Sequence, residues 1–272
     1  MRSLGLSPVS RFTPLPQSHH LTIPFPMPLN YDILATAYAR NRSIHPGVLG
    51  CLVETGRVSA ASDVLEVGCG TGNYSIALHE AADCRGAGVD PSAEMLAVTR
   101  SRTDALYFRQ GRAESLPFTP PGFDLIFSVD VIHHLTDRRA FFREAARLLG
   151  PGGRLCTVTD SAEDIRRRVP LSSHFPETVA VELARYPSIE TLRAEMAEAG
   201  FTSIWMETTK QPYPLTDIQG YRERAYSSLH LIPDDAFRRG IERLEQAPTV
   251  GPIDALSLYT LVWGKQSTGS HL

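Results

Sequence analysis

Lysine is almost missing from this chain: of 27 cationic side chains, only Lys210 and Lys265 are lysines. Neither follows a glycine-rich turn, so a Walker-type phosphate loop is excluded. Schiff-base chemistry has only the same two candidates. The four cysteines, Cys51, Cys69, Cys84 and Cys156, form no Cys-x-x-Cys pair. That argues against a zinc ribbon, an iron–sulfur cluster or a disulfide framework, and fits a reducing, cytoplasmic setting. No apolar run approaches the roughly 20 residues of a membrane span, so no membrane partner is expected. There is no Gly-x-Ser-x-Gly elbow and no His-Glu-x-x-His helix. A net charge of −3 leaves no basic excess for coating nucleic acid. What remains is an ordinary globular composition, with 272 residues to build a sizeable core.

Residues 1–28 read as a Pro-rich tail, because prolines at 8, 14, 16, 24, 26 and 28 lack the donor that helices and inner strands need. Arg2 and Arg11 flank no continuous apolar stretch, so the tail does not read as a signal peptide. Residues 29–60 turn helical. Tyr31, Leu34, Ala35 and Tyr38 recur at helical spacing, and a second stripe follows at His45, Val48, Leu49 and Leu52. Strands are then expected near 64–68, 85–90, 105–109, 123–129 and 153–159, with helices near 73–82, 92–101 and 137–149. Such alternation implies a parallel sheet covered by helices on both faces. A helix near 188–199 closes at Gly200, a strand follows near 201–208, and residues 253–264 read as a last buried strand. The expected division is a core over 61–210, a mostly helical cap insertion at 211–252 and a final core strand at 253–265. Segment 160–187 is a further part of the cap.

The densest signal is Val64-Leu65-Glu66-Val67-Gly68-Cys69-Gly70-Thr71-Gly72-Asn73. Without Cβ atoms, Gly68, Gly70 and Gly72 let backbone approach a ligand closely and take positive φ. The helix that follows points amide N–H groups at the site, which favours a carboxylate there. Glu66, at the strand end, is placed to meet an ammonium, and an amino-acid moiety carries both groups. The dinucleotide fingerprint puts its third glycine five positions after the first, whereas Gly72 is four after Gly68. An NAD(P)-dependent oxidoreductase is therefore the lesser reading. Asp90, in Gly88-Val89-Asp90-Pro91-Ser92, closes the second strand, where an acid accepts ribose hydroxyls. Pro91 beside it is a further cofactor-binding candidate; as a helix cap, helped by Pro91, Asp90 has a second reading.

The pattern Glu-x-Gly-x-Gly-x-Gly resembles motif I of the class I S-adenosylmethionine (SAM)-dependent methyltransferases. Residues 110–118, Gln-Gly-Arg-Ala-Glu-Ser-Leu-Pro-Phe, resemble a segment of the ubiquinone/menaquinone-type group. Residues 123–135 resemble the family motif at the end of the fourth strand, and residues 147–153 its Leu-x-Pro-Gly-Gly segment. The resemblance covers roughly 30–265 and is strongest over 62–160. It implies an α/β, Rossmann-like, seven-stranded mixed sheet with a small helical cap. It implies SAM as cofactor, S-adenosylhomocysteine (SAH) as product, and methyl transfer to oxygen or nitrogen, less so carbon, of a small molecule. A SAM-binding regulator or scaffold without turnover is the alternative from another class. By the same resemblance, Ala113 and Glu114 lie near the adenine, although many relatives carry an acid where Arg112 stands. The Tyr-Asp-x-x-Ala-x-x-Tyr start at 31–38 resembles a helix that folds over the cofactor. That implies Tyr38 at the cofactor or substrate, Tyr31 at the substrate and Arg42 on an acidic group of it; an ordinary amphipathic helix packed on the sheet is the other reading. Residues 128–134 would form the site's floor, with Ser128 toward the cofactor and Asp130 toward the substrate.

A sulfonium methyl is already activated, so alignment is the enzyme's main task, worth on the order of 7–11 kcal/mol. A base adds about 10²–10⁴-fold when the nucleophile carries a proton. His133 and His134 are the base candidates, since imidazole titrates near neutral pH; a packing role suits the double histidine equally. No third ligand stands at metal-binding spacing, so no metal is expected. In the cap, Phe175, Tyr213, Tyr221, Tyr226 and His230 either line an aromatic substrate pocket or form the cap's own core. The expected assembly is a monomer or homodimer.

Overall fold

The computed structural model describes residues 44–120, 122–246 and 252–266. The Pro-rich tail and the candidates Tyr31, Tyr38 and Arg42 lie outside the described residues.

The chain enters through α1 (Pro46–Glu54), then alternates β1 (Asp63–Val67), α2 (Asn73–Ala82), β2 (Arg85–Asp90), α3 (Ala93–Arg102) and β3 (Tyr107–Gln110). After a loop come β4 (Phe123–Val129), a 3-10 turn at Ile132–His134, α4 (Arg138–Leu148) and β5 (Leu149–Thr159). Three short helices follow: α5 (Ala162–Arg167), α6 (Leu171–His174) and α7 (Glu177–Arg185). Helix α8 (Ile189–Glu198) leads into β6 (Phe201–Leu215). Then come α9 (Gln219–Arg222), a 3-10 turn at Ser227–His230, α10 (Asp234–Gln246) and β7 (Ile253–Gln266).

The strands form one seven-stranded sheet in the order β3-β2-β1-β4-β5-β7-β6. β1 to β5 are parallel, while β7 runs antiparallel to both β5 and β6. This is the mixed sheet anticipated from the sequence. Its central strands read as continuous apolar runs because both faces are covered. Successive β4 residues alternate between the two cores. Leu125 and Phe127 pack with Val48, Leu52 and Trp263 on one face. Ile126 packs with Leu65, Phe142 and Met196 on the other. The strand order reverses between β1 and β4, which opens the crevice beyond their carboxyl ends.

Two elements depart from the expected boundaries. β6 does not stop near 208 but continues to Leu215, through Pro212 and Pro214. Prolines argue against an inner strand, yet β6 is an edge strand paired only with β7, so a missing N–H can face outward without breaking the ladder. β5 begins directly at Leu149 rather than after the Pro151-Gly152-Gly153 break. A register shift between Phe123 and Leu125 absorbs the irregular stretch.

The cap brings its two segments together in a third core. Leu171 and Phe175 of the first pack with Tyr221, Leu229, Ala236 and Leu244 of the second. A Cβ at Gly240 would overlap the Phe175 ring, so glycine there lets α10 lie against it.

Candidate active site

Beyond β1 the three glycines all take positive φ: Gly68 at 75°, Gly70 at 52° and Gly72 at 77°. The turn is held from three sides. Asp90 Oδ2 accepts the Gly70 N–H at 2.8 Å, the buried Thr99 hydroxyl donates to the Gly70 carbonyl at 2.8 Å, and Arg102 donates to the Thr71 carbonyl at 2.6 Å. Asp90 Oδ1 accepts the Ser92 N–H at 2.9 Å. The cap of α3 is Ser92, whose hydroxyl accepts the Met95 N–H. Asp90 therefore joins the end of β2 to the glycine turn rather than capping the helix.

Glu66 is buried, at 3% exposure. It accepts both the N–H and the hydroxyl of Ser75 in the first turn of α2. That uses one of the helix-end donors that the sequence reserved for a ligand carboxylate. Burial pushes the Glu66 carboxyl up to about 8, the Asp90 charge adds to the rise, and the Ser75 hydrogen bonds oppose it. The result is a carboxyl that is largely protonated at neutral pH until a cation arrives. This suits the ammonium of an amino-acid moiety. The open backbone at Gly70, a helix N-terminus, Glu66 and Asp90 together fit SAM.

The third loop is braced on itself. Glu114 accepts the Thr136 hydroxyl at 3.1 Å and lies 3.5 Å from the Arg112 guanidinium. Ala113 is buried beside it. The Pro91 carbonyl accepts from the Gln110 side chain at 2.8 Å, which links the second and third loops.

The β4 turn touches both halves of the site. A Cβ on Gly68 would overlap Val131, so this turn lies directly on the glycine turn. Its other residues, Asp130, His133 and His134, line a cavity of about 480 Å³. Asp130 takes a left-handed conformation (φ 57°), which Asp and Asn tolerate better than other non-glycine residues. The Tyr259 hydroxyl donates to its Oδ2 at 3.1 Å. His133 stacks on Tyr186 with centroids 4.0 Å apart and lies 4.0 Å from the His134 ring. The far wall comes from Tyr213 on the end of β6 and from the cap, with Tyr221, Tyr226 and His230. Across the cavity stands Arg168, 3.0 Å from Asp160 and also ion-paired with Glu182.

Two sequence candidates need correction. Phe175 does not line the cavity: it is fully buried in the cap core, stacked between Tyr221 and Phe237. Ser128 is also fully buried, and its hydroxyl donates to Thr157 at 3.1 Å inside the sheet, so the side chain does not reach a cofactor. Sequence reading missed Thr99, Tyr259 and the Asp160–Arg168–Glu182 trio. None has a local pattern, because each works through a partner distant in the chain. Among the described residues, no cluster of three or more His, Cys, Asp and Glu is placed to hold a metal ion. No helix among them is long and apolar enough to cross a membrane.

A profile of the methyltransferase domain family matches residues 65–157. The chain is 32% identical over 204 residues to the 27-O-demethylrifamycin SV methyltransferase of Amycolatopsis mediterranei, covering 71% of this chain and 75% of that protein. It is 35% identical over 122 residues to the uncharacterized methyltransferase YcgJ of Bacillus subtilis, covering 43% of this chain and about half, 47%, of the relative. The fold is similar to the crystal structure of a putative methyltransferase from an antibiotic biosynthesis pathway of Anabaena variabilis. That match has a TM-score of 0.63 at 20% identity and covers 82% of this chain and 98% of the other. The chain belongs to the class I SAM-dependent methyltransferases. It is an enzyme of that family, and its cofactor is SAM.

Proposed function

We propose that this enzyme methylates an oxygen or nitrogen of a small molecule held in the cavity between the sheet and the cap. The observation that carries this reading is the β4 turn. Val131 lies on the glycine turn, while Asp130, His133 and His134, its immediate neighbours, line the cavity. This supports a reading in which one segment bounds both reactants, as an in-line transfer needs.

Bound SAM supplies an activated methyl group on a sulfonium sulfur. The glycine turn and Glu66 hold the amino-acid end, and Asp90 accepts from the ribose. The aromatic walls exclude water and orient the acceptor. His133, stacked on Tyr186 and beside His134, would take the acceptor's proton as the oxygen or nitrogen gains the methyl, whose bond to sulfur breaks to leave SAH. Carbon methylation ranks below these readings.

The first test is calorimetric titration with SAH, with NAD as a parallel control. One-to-one binding of SAH alone is the expected result; binding of NAD alone would overturn the reading. Methyl transfer from labelled SAM is then screened over hydroxylated and aminated small molecules. On an accepted substrate, His133→Ala should lower kcat by about 10²–10⁴-fold while SAH affinity holds. An unchanged kcat removes His133 from proton transfer.

A further inference from the structure

Resting on that reading of the site, we propose that the acceptor carries a cationic amino group, seated on Asp130 and the tyrosine walls, beside a hydrogen-bonding substituent that meets Ser228. The charge of the cavity points this way. Asp130, Asp160, Glu182 and Glu223 line it against one guanidinium, that of Arg168. Arg168 is already held by two acids, Asp160 and Glu182, whose side chains are only 3% and 4% exposed. The trio thus sets two carboxylates against one guanidinium away from water, where salt screens charges poorly. Asp130 adds a further carboxylate to the lining, oriented by the Tyr259 hydroxyl at 3.1 Å. An anionic acceptor would meet these carboxylates with no second arginine and no lysine among the described lining residues.

The rest of the lining favours the same ligand. Tyr186, Tyr213, Tyr226 and Tyr259 surround the cavity. Aromatic faces attract cations, more strongly where water is excluded. His45, another lining residue, is held neutral because burial lowers its pKa, with hydrogen bonds to backbone opposing. Ser228 gives an independent sign of a ligand. Ser228 is a lining residue, is 1% exposed, and its buried Oγ makes no hydrogen bond among the described residues. A buried hydroxyl without a partner is costly, and a polar substituent of the acceptor would satisfy it.

The test uses the full chain loaded with SAH, which also leaves the sulfonium charge out of the comparison. Choline is titrated against 3,3-dimethylbutan-1-ol, its neutral carbon isostere, and against 3,3-dimethylbutanoate, with binding read by ligand-observed NMR. Choline should bind roughly tenfold tighter than the neutral isostere. Asp130→Asn should erase most of that preference while SAH affinity stays constant, since asparagine keeps the left-handed backbone and removes only the charge. Equal binding, a preference for the carboxylate, no choline binding, or an Asp130→Asn protein that keeps its full preference would each overturn the proposal. Loss of SAH binding by the wild-type chain would instead sink the methyltransferase reading of the site, so the two failures are distinguishable.

Discussion

Asp90 braces the glycine turn from twenty residues away: its Oδ2 accepts the Gly70 N–H at 2.8 Å. The same carboxylate is the one proposed above to accept ribose hydroxyls. Substitution therefore has two consequences. Asp90→Ala removes a charged acceptor from the ligand and a brace from the turn. Charge-assisted hydrogen bonds contribute about 1.5–3 kcal/mol, so SAH affinity should fall by roughly 10–150-fold in calorimetry. Unchanged affinity would take Asp90 out of the site.

Glu66 sets a pH dependence with a definite sign. Its carboxyl titrates near 4.5 when unperturbed and at about 8 in the fold, because burial disfavours the ion. Between those values the unfolded chain binds fewer protons than the folded one, so stability falls as pH rises through the window. The melting temperature of the ligand-free protein should therefore drop between about pH 5 and about pH 8. Glu66→Gln should flatten that slope, since a neutral amide oxygen can still accept from Ser75. Binding of the SAH ammonium should expel the Glu66 proton near neutral pH. Calorimetry in buffers of different ionisation enthalpy would detect that release; a binding enthalpy independent of buffer would refute it.

Much of the site was legible in the sequence because its parts are local. Gly68, Gly70 and Gly72 do their work within one turn, and the strand before them is marked by burial on both faces. Asp90 could be placed from the strand it ends. The remainder depends on which distant segments meet. Phe175 and Tyr213 both read as cap aromatics in the sequence, yet only Tyr213 lines the cavity, because it stands on the extended end of β6 while Phe175 packs into the cap's own core. Pro212 and Pro214 concealed the end of β6, since proline's tolerance in a strand depends on whether that strand lies at the sheet's edge. Arg168 shows no motif at all; its role exists only once Asp160 and Glu182 fold onto it.

Gly68 and Gly50 should respond in opposite directions to the same change. At Gly68, φ is +75° and a Cβ would overlap Val131, so alanine strains the backbone and pushes on the β4 turn. The expected cost is about 2–3 kcal/mol, with SAH binding impaired. At Gly50, inside α1, a Cβ meets nothing within 4 Å. Alanine there should stabilise by about 0.4–1 kcal/mol through helix propensity and a stiffer unfolded chain. Denaturant melts of the two variants would check both signs. A Gly68→Ala protein as stable as wild type would contradict the observed approach of Val131.

The Arg168 trio separates buried from exposed ion pairs. Arg168→Met leaves Asp160 and Glu182 enclosed without their counter-charge, and breaking a buried pair from one side costs about 3–5 kcal/mol. The neighbouring Arg167 pairs with Glu163 at 2.8 Å, but both side chains are more than half exposed, at 57% and 74%. Arg167→Met should therefore change stability by less than about 1 kcal/mol. Acidity distinguishes a charge effect from a packing effect. In the Arg168 variant, the two acids lose the cation that held them ionised, so burial raises their pKa in the folded state. The folded variant then takes up protons ahead of the unfolded chain as pH falls below neutrality, and part of the lost stability should return. Urea melts at about pH 7 and about pH 5 would show this as a smaller gap from wild type at the lower pH. A gap that stays constant would mean that Arg168 acts through the packing of its aliphatic stem rather than its charge.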